Sequence, residues 1–389
     1  MARLLTRVAT LAGILAVATL PARAAEPFNI DVMLPLTGNA AFLGVAQKAA
    51  MQYMEKALGE AGTVGGRPIH FVFRDDQSSP QVAVQVATEI AASKPAVIIG
   101  PSLVAMCNAV VPLVRRGPVL YCLSPGIYPA PGSFVFSSSA STRELAKAQL
   151  RFFHAKHLDR LAIITSTDAS GQEAQRNLRE FIQLPEFKGM DYVGDATFNP
   201  TDVSAAAQIQ RIKGADPQAI IAWSTGAAIG TVFKAIQDAG LNVPVATTNG
   251  NMTYAAMQRF ADILPAELYI PTAEWLRSPR AEPGSGVAKA KDQFFGAYPA
   301  GTRPDGSAAF GWEPALIVVA ALHKLGPDTT AEQLRDYIAG LTSFPGASGD
   351  YDFVKSPQRG LDDSEVVITR WDKAANDWVT VSQPRGVPL

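Results

Sequence analysis

The stretch AVIIGPSLVAM, residues 96–106, runs one apolar segment into a Gly-Pro-Ser seam and continues at once into another. An apolar run without polar alternation fits a strand buried on both faces, as in a parallel sheet. A tight turn and a helix with Ser102 as its N-cap would account for the seam. The amides exposed at such a helix start form a site for a carboxylate or phosphate.

The same strand-then-helix alternation extends in both directions. Strands are expected at 28–36, 69–75, 96–100, 118–124 and 133–139, with helices at 44–58, 80–93 and 102–114. Pro80 suits the first helical position. From residue 143 the rhythm restarts: helices at 143–157, 171–184, 203–213 and 226–240 alternate with strands at 160–166, 190–198, 218–224 and 244–250. This predicts two α/β units, each a parallel sheet with helices on both faces. Beyond them, 268–276 reads as extended, two helices fall within 286–325, a third covers 330–341, and 351–381 reads as short antiparallel strands.

A natural arrangement returns 272–341 to the first unit and 342–389 to the second. The expected division is 25–140 plus 272–341 for one lobe and 141–271 plus 342–389 for the other. The chain then crosses three times, near 139–142, 271–273 and 341–344, and such multiple crossovers make a hinge that can close on a ligand.

The first 24 residues carry Arg3 and Arg7, an apolar run from Leu11 to Leu20, and small residues at Ala22 and Ala24. This is the pattern of a secretory signal peptide cleaved near Ala24, which predicts an extracytoplasmic, periplasmic protein. No later stretch shows the ~18 uninterrupted apolar residues of a membrane helix. The 389 residues include 34 Lys and Arg against 35 Asp and Glu, three of the arginines in the leader, a balance that gives no sign of nucleic acid or an anionic membrane as partner. In an oxidising compartment Cys107 and Cys122 are candidates for a disulfide, worth about 3 kcal/mol for a loop of this size. The alternative is two buried thiols.

Catalytic signatures are absent from the sequence. There is no G-x-S-x-G elbow and no phosphate-binding G-x-x-x-x-G-K-[ST], and GSGVAK at 284–289 lacks the third glycine of a dinucleotide fingerprint. Among the four histidines only His154 and His157 are closely spaced, with no companion Cys or carboxylate cluster, so neither a metal nor a cofactor is expected.

DVMLPLTGNAAFLG near the mature start, RDDQSSPQVAVQVATEIAA, VIIGPSLVA, LSPGIY and ADPQAIIAWSTGAAIGTVFKAIQDAGL, in this order, resemble the periplasmic solute-binding proteins of branched-chain amino acid (Leu/Ile/Val-binding) type ABC transporters. The resemblance covers nearly the whole mature chain. It implies a type I periplasmic binding protein, with two Rossmann-like lobes closing on a ligand, no catalysis, and permease and ATPase partners on separate chains; a monomer is expected. It also implies a carboxylate cradle made by Ser102, Leu103 and Val104 together with the turn Ser124, Gly126 and Ile127. Ser102 as a helix cap alone is the competing reading.

Members that bind amino acids pair the ligand ammonium with an acidic residue before a glycine. Here Asn249 precedes Gly250, while Ser170 and Thr225 stand where tyrosines are usual. A buried ammonium without a counter-charge costs several kcal/mol. The sequence therefore points to a carboxylate ligand lacking the α-ammonium, and similar relatives bind aromatic acids of the benzoate and hydroxycinnamate kind. Phe42, Leu43, Tyr128, Trp223, Trp275 and Trp312 are candidates to contact such a ring, although large aromatics are core residues first. Two alternatives stay open: an amino acid or amide binder, and a soluble sensor that reports occupancy to a membrane partner.

Overall fold

The structure is a computed structural model and describes residues 26–276 and 282–389; the leader expected at 1–24 lies outside the described residues. The first sheet comprises β1 (Phe28–Leu34), β2 (Thr63–Val64), β3 (Arg67–Asp75), β4 (Val97–Ile99), β5 (Val119–Cys122) and β6 (Val135–Ser137), in the order β2-β3-β1-β4-β5-β6. All neighbours pair in parallel except β2 with β3. Helices α1 (Ala41–Ala57), α2 (Pro80–Ala92) and α3 (Val104–Val110) connect these strands.

Because strand side chains alternate, each buried strand serves two cores. Val97 and Ile99 face one apolar cluster with Val32, Val119 and Tyr121, while Ile98 faces another with Met33, Leu120 and the α2 and α3 residues Ala87 and Val110. This explains why residues 96–99 carry no polar residue. Gly100 has φ +94°, and a Cβ there would stand 2.0 Å from the Met33 carbonyl oxygen, so the turn after β4 accepts only glycine.

The second sheet is built on β7 (Arg160–Ser166), β8 (Asp191–Phe198), β9 (Ala219–Trp223), β10 (Val245–Ala246) and β11 (Leu268–Ala273), with α4 (Thr142–Ala155), α5 (Ala169–Phe181), α6 (Ala206–Gly214), α7 (Ile229–Asp238) and α8 (Tyr254–Arg259). Helices α9 (Gly286–Gly296), α10 (Gly306–Leu325) and α11 (Ala331–Ala339) follow, then the hairpin β12 (Phe344–Gly346) and β13 (Gly349–Tyr351), then β14 (Val366–Asp372) and β15 (Asp377–Thr380). The second sheet has the order β15-β14-β11-β10-β9-β7-β8, antiparallel only at its β14 and β15 edge. Helix α10 has the length and apolarity of a membrane span, yet it is largely buried and packs along α1.

The chain leaves the first sheet after β6 and enters α4 through a capping box: Ser141 accepts from the Glu144 amide, and the Glu144 carboxylate accepts from the Ser141 amide. It leaves the second sheet after β11. The third crossover differs from the expected one at 341–344. The β12–β13 hairpin packs on α9, Phe353 meets Phe136 of β6 edge-on at 5.8 Å, and the Ser137 amide donates to the Gln358 carbonyl at 2.9 Å. Residues 344–360 thus stay with the first sheet because Tyr351 and Phe353 complete its core, and the chain crosses only after Leu361.

Candidate functional site

A cleft of about 260 Å³ lies between the two sheets, at the C-terminal ends of their parallel strands. The first lobe presents Leu43, Ser102, Leu103, Val104, Ser124 and Gly126; the second presents Ser170, Thr225, Asn249 and Gly250. These ten sequence candidates, separated by as many as 207 residues from Leu43 to Gly250, meet in one place. Trp223 also lines the cleft.

The structure does not bring Phe42, Ile127 or Trp275 to the cleft. Phe42 is half-buried against the first core, and Ile127 is buried beside the α2 and α3 cluster. The Trp275 indole N–H donates to Met252 Sδ at 3.4 Å inside the core. Trp312 packs edge-on against Phe294, and Tyr128 lies outside the wall, its hydroxyl donating to Glu173 Oε1 at 2.5 Å. Bulk decides the two tryptophans: Trp275 and Trp312 are fully buried, and burying a large ring in the core is the more favourable use of its area.

Two further expectations are corrected. Ser102 does not cap α3, whose N-cap is Leu103 with no side-chain cap; the Ser102 hydroxyl instead donates to Gln47 Oε1 of α1 at 2.6 Å. Cys107 and Cys122 are free, buried thiols, with Cys107 Sγ donating to the Pro101 carbonyl at 3.3 Å and its pKa pushed well up by burial. They pack as small apolar side chains in the α2 and α3 cluster.

Sequence reasoning missed several wall residues, among them Asn39, Ser78, Thr142, Asp168 and Phe310. Asp168 is the most consequential, being the one charged side chain among the described residues that line the cleft. Its Oδ1 caps α5, accepting from the Gly171 amide at 2.9 Å and from Ser166 Oγ at 3.0 Å. An Asp between a strand end and a helix, as in TSTDASG, is a readable N-cap signal. Phe310 comes from α10 and carries no local signal.

Two residues of the wall, and one behind it, carry unpartnered donors. Trp223 Nε1 and Asn249 Nδ2 are buried without a protein partner among the described residues, as is Gln47 Nε2 behind Ser102. The Thr248 hydroxyl donates to Asn249 Oδ1 at 3.3 Å, which leaves the Asn249 amino group for another acceptor. Buried donors left unpaired cost free energy. No cluster of metal-ligating residues occurs among the described residues.

The lobes touch at the cleft. The Ala227 amide of the second lobe donates to the Asn39 carbonyl of the first at 3.1 Å. Gly226, with φ +97°, permits this approach, since a Cβ there would stand 2.7 Å from that carbonyl oxygen.

Two α/β lobes joined by three crossovers, with spare donors between them, are matched by sequence comparison: the profile described as periplasmic binding protein fits residues 27–376. The chain belongs to the periplasmic binding protein family. Among solved structures, an extracellular ligand-binding receptor from Rhodopseudomonas palustris HaA2 superposes with a TM-score of 0.78 at 18% identity, covering 92% of this chain and 100% of that one. The LivJ branched-chain amino acid transporter substrate binding protein from Streptococcus pneumoniae, solved with isoleucine, gives 0.74 at 18% identity over 91% and 100%. An ABC transporter solute binding protein from R. palustris, solved with benzoate, gives 0.73 at 20% identity over 94% and 98%. At these identities the superpositions show the type I periplasmic binding fold. No protein of curated function matches the chain.

Proposed function

We propose that this periplasmic binding protein is the exported receptor of an ABC importer and closes on one small carboxylic acid that lacks an α-ammonium group. The observation that carries this reading is the character of the second-lobe wall. Where an ammonium would need a carboxylate, Asn249 offers an amino group and Trp223 an indole N–H, both unpartnered among the described residues. Two fixed donors suit a neutral carbonyl or hydroxyl at the far end of the ligand and oppose a cation.

On the opposite wall Ser124, Gly126 and the helix-start amides of Leu103 and Val104 receive the ligand carboxylate, while the Ser102 hydroxyl stays bonded to Gln47 Oε1. Leu43, Val104 and Phe310 give the middle of the ligand an apolar surface. Binding first to the open first lobe and then closing the second over it excludes water and strengthens each of these bonds. The lobes in this reading are 26–140 with 274–361, and 141–273 with 362–389. Closed lobes present a joint surface to a permease, with the ATPase on a separate chain and the receptor itself monomeric in the periplasm. Ligand release unchanged from capture makes it a receptor and not an enzyme.

One observation favours a second reading: Asp168 is a carboxylate on the cleft wall and could meet an ammonium through Oδ2. A thermal-shift panel separates the two, with branched-chain amino acids, amides, short keto and dicarboxylic acids, benzoates and cinnamates. A true ligand at ~100 times its Kd stabilises by about 2.7 kcal/mol. Shifts confined to acids without an α-amino group support the proposal, and a shift with leucine or valine overturns it.

A further inference from the structure

Arg359 is 7% exposed, and its hydrogen bonds all go to backbone carbonyls. Nη1 donates to Ser138 at 3.3 Å and to Ser139 at 2.9 Å; Nη2 donates to Pro125 at 3.3 Å and, more closely, to Ile127. Two of these acceptors belong to the first crossover, and two to the turn that borders the cleft. Arg359 itself stands just before the third crossover. The Pro125 carbonyl accepts a second bond from the Thr142 amide at 3.2 Å, at the start of α4.

A buried cation is costly, and desolvation lowers the pKa of this guanidinium. Carbonyl dipoles and the nearby Glu144, Tyr128, Tyr121 and Glu173 offset that cost. Packing alone does not explain a charged group here, since an apolar side chain of similar volume would fill the space without the penalty. What only a guanidinium provides is a rigid fork that fixes several acceptors at once.

In a trans peptide the N–H points opposite to the C=O. The cis bonds among the described residues precede Pro101 and Pro118, so the peptide joining Pro125 to Gly126 is trans. Its carbonyl points at Arg359, and the Gly126 N–H therefore points away from Arg359. Gly126 lines the cleft, and its N–H has no protein acceptor among the described residues. We propose that Arg359 is the positioning residue of the carboxylate cradle: it turns the Gly126 N–H toward the cleft, ties that cradle to the hinge, and supplies positive potential to a cleft whose described wall holds no cation. This rests on the reading of the cleft as a carboxylate site.

The test uses Arg359→Met, which keeps volume and removes charge, and Arg359→Lys, which keeps charge and loses the fork. Hydrogen exchange of the unliganded protein is read over 123–129 and 138–142. Faster exchange there by about tenfold in R359M, less in R359K, with the remaining strands unchanged, is the expected result. Exchange unchanged in these segments, or raised equally throughout both lobes, overturns the proposal regardless of ligand. R359K keeps the measurement possible should R359M fail to fold. In parallel, benzoate and benzamide are titrated into each form. R359M is expected to weaken benzoate about tenfold more than benzamide, as for loss of one charge-assisted bond, and R359K is expected to restore part of that difference. Equal losses for acid and amide refute the electrostatic role. Wild-type protein that binds benzamide and not benzoate refutes the carboxylate reading instead, and leaves the exchange result to decide whether Arg359 holds the turn.

Discussion

Replacing Asn249 by Asp exchanges the amino group on the second-lobe wall for a carboxylate of nearly the same shape. Asn249 is 1% exposed, and Thr248 Oγ1 already donates to its Oδ1, so the side chain keeps its place while its spare donor becomes an acceptor. Burial raises the pKa of the new carboxyl group, so the comparison belongs at pH 8. At an effective dielectric constant of about 20, two negative charges about 6 Å apart repel by about 3 kcal/mol. That is a loss of about two orders of magnitude in affinity for an acid, before any lost hydrogen bond is counted. A zwitterionic amino acid behaves oppositely, since its ammonium finds a counter-charge. Isothermal titration of wild type and N249D with an acid and its α-amino counterpart reads both changes. An acid affinity within threefold of wild type would place Asn249 away from the ligand and refute the electrostatic reasoning.

Other perturbations test separate links. Asp168→Asn keeps the α5 cap acceptor and removes the charge, so acid binding should persist or strengthen; loss of binding in calorimetry would favour the ammonium reading. Ser102→Ala deprives the buried Gln47 Oε1 of its donor, and should cost about 1–3 kcal/mol in chemical denaturation. Burial pushes Asp305 and Glu313 up to about 7. Their folded pKa values exceed the unfolded ones, so their contribution is complete below about pH 4 and is lost as pH rises through about 7. Tm should therefore rise from pH 8 to pH 5, and Asp305→Asn, which keeps the acceptor for the Ala308 amide, should flatten that slope by on the order of 2 kcal/mol. An equally steep slope in D305N would remove Asp305 as its source. Thiol titration in denaturant should find both Cys107 and Cys122 reactive, whereas a missing pair would mean a disulfide.

The alternation of β and α segments was legible because burial on both faces leaves a plain apolar signature, as in residues 96–99. Cleft residues at strand ends, such as Ser124, Thr225 and Asn249, were legible through the resemblance to the binding-protein family, which implies which loops face the ligand. What escaped depends on partners distant in sequence. Ser102 reads as a cap, but Gln47, 55 residues earlier, draws its hydroxyl away. Trp275 and Trp312 are candidates for ring contacts although large aromatics read as core first, and packing places both in the core. The third crossover moved because Tyr351 and Phe353 are needed beside Phe136, which no local pattern states. Arg359 resembles any surface arginine until its four carbonyl partners are in view.

The most direct test of the ligand assignment compares 4-methylpentanoate with leucine, which differ only by the α-ammonium. Titrated into residues 25–389 at pH 7, the acid should bind more tightly than the amino acid, because an ammonium would meet the amino and indole N–H donors of Asn249 and Trp223 in place of a carboxylate, with Asp168 Oδ1 engaged as a cap. Tighter binding of leucine would contradict the account and assign Asp168, in place of Asn249, the decisive role in the cleft.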